Sequence, residues 1–304
     1  MYGPDLYGPD GTKRDSDMAI SAGEVKKLRD QTGAGMMDCK TALEEANGSF
    51  DEATTILRKK GLATAAKKAG RATSEGLIGH TVSADRSTGI LVEVNCESDF
   101  VARTDVFQQL MHDVLTDIGK AGEAANDAWL SDPNGPVQPR VAAAIAKLGE
   151  NMAVSRFVRY AGQGYVGQYI HMGGKIGVQV EFTGVTPAMA GREEFLTLVK
   201  EIAMQIAAAS PAYVARAAVP APVLEQEKSI YRAQMEGSGK PANVIDKIVE
   251  GKLGSFYAQV VLPDQASIRD PKTTVADVMA AAAKALGTPI AVSRFARLKV
   301  GERA

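Results

Sequence analysis

A duplicated segment is the feature of this sequence that most constrains its fold. Ala153-Val-Ser-Arg-Phe-Val-Arg159 recurs 138 positions later as Ala291-Val-Ser-Arg-Phe-Ala-Arg297. Upstream, Ile90-Leu-Val-Glu-Val94 recurs only 86 positions later as Ile176-Gly-Val-Gln-Val180. A chain that repeats one pattern in this way is expected to build two related modules. Because the two offsets differ, the second copy must also contain an insertion of about 50 residues.

Each copy combines strand-like and helix-like patterns. Gly89-Ile-Leu-Val-Glu-Val94 alternates and is rich in β-branched residues, which predicts a strand. The apolar residues that follow, Val106, Leu110 and Val114, fall at helical spacing. Without the insertion, each copy therefore predicts a β-hairpin, helices and a returning strand. The fold class we expect is α+β, with two duplicated subdomains that each contain a small antiparallel sheet.

The insertion itself carries two amphipathic helical patterns. One apolar stripe runs from Leu224 to Met235 and a second runs from Ile245 to Val260. Gly237-Ser-Gly-Lys-Pro241 lies between them and breaks the helical pattern. Two amphipathic helices joined by a tight turn predict an antiparallel helical hairpin.

The residues before the first copy predict a small helical module. Ser21 to Gly61 contains three short helical patterns separated by glycine-containing breaks. Ser21 with Glu24, and Ser49 with Glu52, have the spacing of capping boxes. We therefore expect three short helices, followed by an Ala- and Lys-rich helical connector.

These patterns divide the chain into six predicted segments. Tyr-Gly-Pro-Asp occurs twice within residues 1–17, and nothing there can form a core. The predicted segments are a leader or disordered extension (1–17), the N-terminal helical module (18–61), a helical connector (62–75), an N-terminal core subdomain (76–163), a C-terminal core subdomain (164–221 and 262–304), and the helical hairpin (222–261).

Composition argues against nucleic-acid and membrane partners. The net charge is −1 and the predicted pI is near 6.4, whereas a nucleic-acid-binding domain normally carries a basic patch. The sequence contains no apolar run near the roughly 20 residues that span a bilayer, and no signal peptide. Cys39 and Cys96 lack CxxC spacing and are expected to be buried thiols in a reducing cytoplasm.

Two patterns resemble cofactor or metal sites, but the surrounding sequence does not support either site. Gly162-Gln-Gly164-Tyr-Val-Gly167 matches GxGxxG, but Tyr165 to His171 alternates as a strand. A dinucleotide site needs a helix N-terminus after the glycines. The histidines His80, His112 and His171 lack the spacing of metal ligands. We expect no cofactor, no bound metal and no catalytic residues, so the protein is not predicted to be an enzyme.

An aromatic residue lies where the strand of the first copy ends. Ser98-Asp99-Phe100-Val101 reads as a turn between that strand and the next helix. Phe100 could pack under the helix as part of the core, which is the commoner fate of such a residue. Alternatively, it could be an exposed anchor that fills a pocket in a partner. The pattern of residues alone leaves both interpretations open.

Two long motifs carry a resemblance to a known family. Glu93-Val-Asn-Cys-Glu-Ser-Asp-Phe-Val-Ala-Arg103 closely resembles the second signature of the bacterial elongation factor Ts family. Thr32-Gly-Ala-Gly-Met-Met-Asp-Cys-Lys40 resembles the first signature, in the family's order. The resemblance covers nearly everything after Met18. Ser98 stands where most members have threonine, and we expect little consequence because the hydroxyl is retained.

The resemblance implies a guanine-nucleotide exchange factor that binds elongation factor Tu, displaces its Mg²⁺ and accelerates GDP release. It also implies that the N-terminal module is similar to a ubiquitin-associated domain, and that the hairpin is a projecting coiled coil. Whether the hairpin mediates self-association is left open by the sequence. The implied partner contacts fall in three groups, which are the Mg²⁺-displacing wedge Ser98, Asp99, Phe100 and Val101, the N-terminal contacts Met36, Met37 and Lys40, and the second-subdomain contacts His171 and Met172.

Several of these residues also have ordinary structural interpretations. Met36 and Met37 cannot both face one core from a single helix, so we expect one to pack and the other to be available. Lys40 could simply be solvated, and His171 could pack at the end of its strand. Two functions from other classes stay open, a ubiquitin-associated-type interaction scaffold and a cofactor enzyme built on the glycine motif.

Overall fold

The structure is a computed structural model that describes residues 20–162, 164–235 and 240–302. The predicted leader at 1–17 and most of the predicted hairpin turn lie outside the described residues. Tertiary contacts divide the chain into two compact units. Unit one contains the described part of Met1–Thr73 with Cys96–Leu110 and Glu123–Ala153, and unit two contains Ser74–Asn95, Met111–Gly122 and the described part of Val154–Ala304.

The described elements occur as runs of helices and runs of short antiparallel strands, which is the arrangement of an α+β fold. The helices are α1 (Ala22–Thr32), α2 (Met36–Glu45), α3 (Phe50–Lys68), α4 (Asp99–Ala102), α5 (Asp105–Ala121), α6 (Asp127–Ser131), α7 (Val137–Leu148), α8 (Pro187–Ala190), α9 (Glu193–Ala209), α10 (Ala221–Ala233), α11 (Ala242–Val260) and α12 (Val275–Leu286). The strands are β1 (Glu75–Val82), β2 (Thr88–Cys96), β3 (Met152–Ala161), β4 (Tyr165–His171), β5 (Ile176–Thr183) and β6 (Ala291–Lys299).

The predicted three-helix start of the chain is confirmed as α1, α2 and α3. Ser21 and Glu24 form the predicted capping box, and Gly33 ends α1 in the left-handed conformation. Ser49 accepts the N–H of Glu52, but the reciprocal half of the second capping box is replaced, because the N–H of Ser49 donates to Ala46. The shared core consists of Val25, Leu28, Cys39, Ala42, Leu43, Ala46 and Ala53. Its likeness to a ubiquitin-associated domain stays a prediction.

Helix α3 is longer than the sequence pattern suggested. It continues through Gly61 to Lys68, so the predicted third helix and part of the predicted connector form one helix. Ala and Lys residues favour the helical conformation beyond the glycine, and α3 packs lengthwise on α7 within unit one. The predicted domain boundaries stay predictions.

Unit two contains most of both predicted antiparallel sheets. Each sheet has three strands, in the orders β1-β2-β3 and β4-β5-β6. Strand β5 pairs antiparallel with both β4 and β6. Helix α9 covers β4 and β5, and Tyr165, Phe182 and Phe195 meet edge to face in the core beneath it.

The duplication is visible in the local structure of each copy. The repeated Ser-Arg-Phe segments form β3 and β6, and Phe107 and Phe195 are both fully buried. The two four-residue helices correspond, since α8 lies 88 positions after α4. Helices α7 and α12 correspond at the offset of 138, and each ends in a left-handed glycine, Gly149 or Gly287.

The insertion forms two helices that pack on each other, α10 and α11. Side chains near the end of α10 meet the first eleven residues of α11, with Arg232 paired to Asp246 and Lys252 lying over the ring of Tyr231. The C-terminal end of α11 is bonded to the body of unit two, because the carbonyl of Val260 accepts from Ala212 and Tyr213. The coiled-coil character of this hairpin stays a prediction.

None of the helices within the described ranges combines the length and the apolar character that crossing a bilayer requires.

We expect Gly61→Ala to stabilise the protein by roughly 0.5–1 kcal/mol, because alanine is favoured over glycine inside a helix. A Cβ at Gly61 would lie 3.7 Å from the carbonyl oxygen of Ala142 and 3.8 Å from the Cβ of Ala146, which are ordinary contacts. Urea unfolding measures the change.

Gly76→Ala is the contrasting substitution. Gly76 has a φ of 142° and its Cβ would overlap the carbonyl oxygen of Val94, so we expect a loss of roughly 2 kcal/mol or more. Equal effects of the two substitutions would contradict this account.

We expect the core beneath α9 to fold without the distal part of the hairpin. Among the described residues, no member of that core cluster lies between Ala207 and Leu262. Replacing residues 230–250 with a short Gly-Ser turn should therefore leave the cooperative thermal transition in place. Deleting 222–261 is the comparison, and it should destabilise the unit, because it removes the fully buried Val261 and the carbonyl of Val260. Loss of the transition in the shorter replacement would show that the hairpin braces the core.

Candidate functional site

The turn after β2 presents Phe100 to solvent. Ser98 is the N-cap of α4, and its hydroxyl oxygen accepts the N–H of Val101 at 3.5 Å. Val101 and Ala102 are buried, whereas the side chain of Phe100 is 78% exposed. Successive helical residues point about 100° apart, so burying Val101 and Ala102 turns Phe100 outward. Of the two interpretations that the sequence left open, the structure supports exposure and contradicts core packing.

Ser98 is held by a carboxylate from a distant part of unit one. Its N–H donates to Oε2 of Glu150 at 2.9 Å, and its hydroxyl donates to Oε1 of the same side chain at 2.7 Å. The thiol of Cys96 donates to the carbonyl oxygen of Ser98 at 3.0 Å. The backbone that carries Phe100 is therefore fixed on both sides of Ser98.

A reciprocal contact joins the same two segments. Oε1 of Glu97 accepts the N–H of Asn151 at 2.6 Å, while the next residue, Ser98, donates to Glu150. Arg71, just beyond α3, lies 3.4 Å from Glu97, and its carbonyl oxygen accepts from Asn151 at 2.8 Å. Sequence reasoning missed Arg71, Glu150 and Asn151. Nothing in their local pattern connects them to the turn, which lies about 50 positions before Glu150 and Asn151 and 27 positions after Arg71.

Asp99 lies beside Phe100 on the exposed face of the turn. Its carboxylate pairs with Arg103 at 2.8 Å, one helical turn further on, and the side chains are 41% exposed for Asp99 and 77% exposed for Arg103. An exposed pair of this kind contributes only about 0–1 kcal/mol and is screened by salt. Asp99 can therefore exchange this partner for another at little cost.

The start of α2 forms a second exposed surface in unit one. Met37 is 72% exposed and Met36 is 45% exposed. Our prediction that one of the two packs in the core is wrong. They occupy the first turn, while the buried face of α2 begins at Cys39.

Charged residues surround these methionines. Lys40 lies 3.7 Å from Glu44 and both are exposed. Asp38 lies 2.6 Å from Lys60. The pKa of Lys60 is raised mainly by its hydrogen bond to this carboxylate and, to a smaller extent, by the negative charge of the carboxylate. Apolar and cationic groups thus share the surface around the start of α2.

His171 and Met172 lie in unit two, at the turn between β4 and β5. His171 is exposed, and its Nδ1 lies 2.9 Å from the hydroxyl of Tyr169, with the two rings stacked. Met172 has a φ of 52° and is 67% exposed. Gly173 and Gly174 complete the short 3₁₀ turn Met172–Gly174 that joins the two strands. The tight turn thus exposes a methionine beside an imidazole.

Within the described residues, the histidines form no metal site and the glycine motif lacks the helix of a dinucleotide site. No group of three or more His, Cys, Asp or Glu side chains within these ranges could hold an ion. The glycine motif that begins at Gly162 is followed by β4 and not by a helix, as the alternating pattern predicted. The three surfaces present exposed apolar side chains beside carboxylates, lysines and one imidazole, which suits contact with a partner.

Comparison with known proteins gives the chain its family. The sequence profile described as Elongation factor TS matches residues 97–302. An elongation factor Ts from Trichlorobacter lovleyi is 45% identical over 291 residues, which cover 94% of this chain and 94% of that protein. An elongation factor Ts from Aquifex aeolicus is 44% identical over 294 residues, which cover 93% of this chain and 99% of that protein. The chain therefore belongs to the elongation factor Ts family of translation elongation factors.

Proposed function

We propose that this protein is a guanine-nucleotide exchange factor that binds elongation factor Tu carrying GDP and accelerates GDP release in the cytoplasm. The observation that carries the proposal is the exposed Phe100 on an anchored turn. A large aromatic side chain that does not pack in its own core is available to fill a pocket in a partner. Family membership supports the identity of the partner.

Exchange of this kind needs no bond-making chemistry. The factor and GDP share one coupling free energy, so each weakens the binding of the other by the same ratio. Mg²⁺ at a nucleotide site is one of the largest local charges, and it keeps several waters and few protein ligands. Small displacements around the ion therefore cost much nucleotide affinity. Phe100 and Asp99 form the exposed part of the wedge that displaces Mg²⁺, and Ser98 and the buried Val101 hold that wedge in place.

The other two exposed surfaces have separate roles in this proposal. The start of α2 docks on the GTPase domain through Met36, Met37 and Lys40. The flexible methionine side chains can adapt to an apolar surface of the partner. His171 and Met172 contact a second domain of elongation factor Tu. The protein binds no nucleic acid and no cofactor, catalyses no chemical reaction, and can self-associate through α10 and α11.

We expect Phe100→Ala to fold normally and to lose most of the exchange stimulation. The second copy tolerates alanine at the equivalent place, since Ala188 lies exposed in α8 where Phe100 lies in α4. Removing a hot-spot aromatic of about 2 kcal/mol would lower the maximal rate of GDP release by roughly 30-fold. Release of fluorescent GDP from elongation factor Tu, with substoichiometric amounts of this protein, measures the rate.

Leu196→Ala is the matched control, because Leu196 is another large exposed apolar residue, in unit two. We expect its release rate to equal that of the unmodified protein. If the unmodified protein binds elongation factor Tu but does not accelerate release, the protein is an interaction scaffold and the proposal is wrong. If Phe100→Ala unfolds, the aromatic is a structural residue.

A further inference from the structure

The orientation of Phe100 depends on contacts outside its own helix. Helix α4 has four residues, which is far too short to be stable by itself in water. Phe100 is too exposed to be held by packing of its own side chain. The burial of Val101 and Ala102 fixes one side of the helix, and the cap at Ser98 fixes its start. What determines the geometry of that cap also determines where Phe100 points.

Glu150 determines the geometry of the cap. Its two carboxylate oxygens each accept one hydrogen from Ser98, at 2.9 Å from the backbone nitrogen and 2.7 Å from the hydroxyl. Because the hydroxyl hydrogen points to Glu150, the lone pairs of that oxygen are free to accept the N–H of Val101. A neutral amide at this position has only one oxygen, and its NH₂ group would face a donor.

Glu150 is itself held in place. It follows Gly149, which ends α7 in the left-handed conformation with a φ of 78°. The carbonyl oxygen of Gly149 accepts from Lys68 at the end of α3. The next residue, Asn151, is buried and donates its N–H to Glu97. The carboxylate is therefore presented to Ser98 from a backbone that is fixed on both sides.

The second copy provides an internal comparison. The N-cap of its four-residue helix α8 is Thr186, whose side chain makes no capping hydrogen bond. The residue after the left-handed Gly287 is Thr288, where the first copy has Glu150. The second copy still forms α8, which contains no aromatic residue. The carboxylate clamp thus accompanies the exposed aromatic and is not a general requirement of this repeated fold.

We propose that Glu150 is a positioning residue for nucleotide exchange, which holds Phe100 in the wedge orientation through its two hydrogen bonds to Ser98. This inference rests on the proposed exchange function. Glu150 need not touch the partner. Docking through Met36 and Met37 is independent of the clamp, so weakening it should lower the maximal rate of exchange and leave the concentration for half-saturation almost unchanged.

The test compares Glu150→Gln with Glu123→Gln, which makes the same chemical change at an exposed glutamate of unit one. GDP release from elongation factor Tu is measured over a range of concentrations of each variant. We expect the maximal rate of Glu150→Gln to fall about tenfold, equivalent to about 1.4 kcal/mol, with half-saturation within about twofold. Glu123→Gln should behave as the unmodified protein. Hydrogen exchange at the amide of Val101 should be faster in Glu150→Gln.

A double-mutant cycle distinguishes positioning through Ser98 from a general structural effect. Ser98→Ala keeps the backbone N–H but loses the hydroxyl, and Ser98→Thr keeps both. If Glu150 acts through Ser98, the effects of Ser98→Ala and Glu150→Gln on the maximal rate will not add, and Ser98→Thr will retain the rate. Additive effects would overturn the inference.

The remaining outcomes separate this inference from the proposed function. An unmodified protein that accelerates release, with a Glu150→Gln variant of equal maximal rate, would overturn the positioning role alone. An unmodified protein that does not accelerate release would remove both proposals. If Glu150→Gln does not fold, the maximal rate of Ser98→Ala tests the positioning role, because this substitution removes only the hydroxyl contact with Glu150. A full maximal rate in Ser98→Ala would then overturn the inference.

Discussion

The candidate site depends on a reciprocal pair of contacts between two segments of unit one. Glu97 accepts the N–H of Asn151, and in the opposite direction Glu150 accepts the N–H of Ser98. Hydrogen bonds to a charged group contribute roughly 1.5–3 kcal/mol each, and leaving a half-buried carboxylate without its donors costs a similar amount. The arrangement resembles a capping box whose halves come from opposite ends of the first copy. It links the end of α7, the start of α4 and, through Arg71, the residues beyond α3.

Much of the fold could be predicted because its signals are local. The strands, the three N-terminal helices and the helices of the insertion follow from periodicity, and Ser21 with Gly33 mark the limits of α1. The strand after Gly164 follows from alternation. Helix α3 was predicted too short, since a glycine inside a helix resembles a break when the packing of α7 against it is unknown. Local patterns also could not decide the exposure of Phe100, which depends on the burial of the two residues that follow it.

The clamp could not be predicted, for a different physical reason. Glu150 follows a helix-ending glycine, a position where a fully solvated glutamate is equally compatible with the local sequence. Only the tertiary fold brings it to Ser98. The same limit applies to the repeated arginines of the duplication. Arg156 pairs with Glu93, but Arg294 pairs with Glu181, which does not occupy the equivalent place in its strand. Repetition predicts which elements recur, whereas side-chain partners depend on register and on bulges such as the one between Glu181 and Phe182.

The division between an anchored backbone and an exposed side chain suits the proposed exchange function, in which the protein acts on a partner and then leaves. An aromatic residue has few side-chain torsions, so ordering it on binding costs little. If the turn beneath it were mobile, the partner would also have to order the backbone, at about 1–2 kcal/mol for each residue. The hydrogen bonds of Ser98 with Glu150 already order this backbone when the protein folds, before any partner binds. In the proposed exchange function, more of the contact energy of Phe100 would then remain to oppose nucleotide binding, because a ligand shifts an equilibrium only by its differential affinity for the two states.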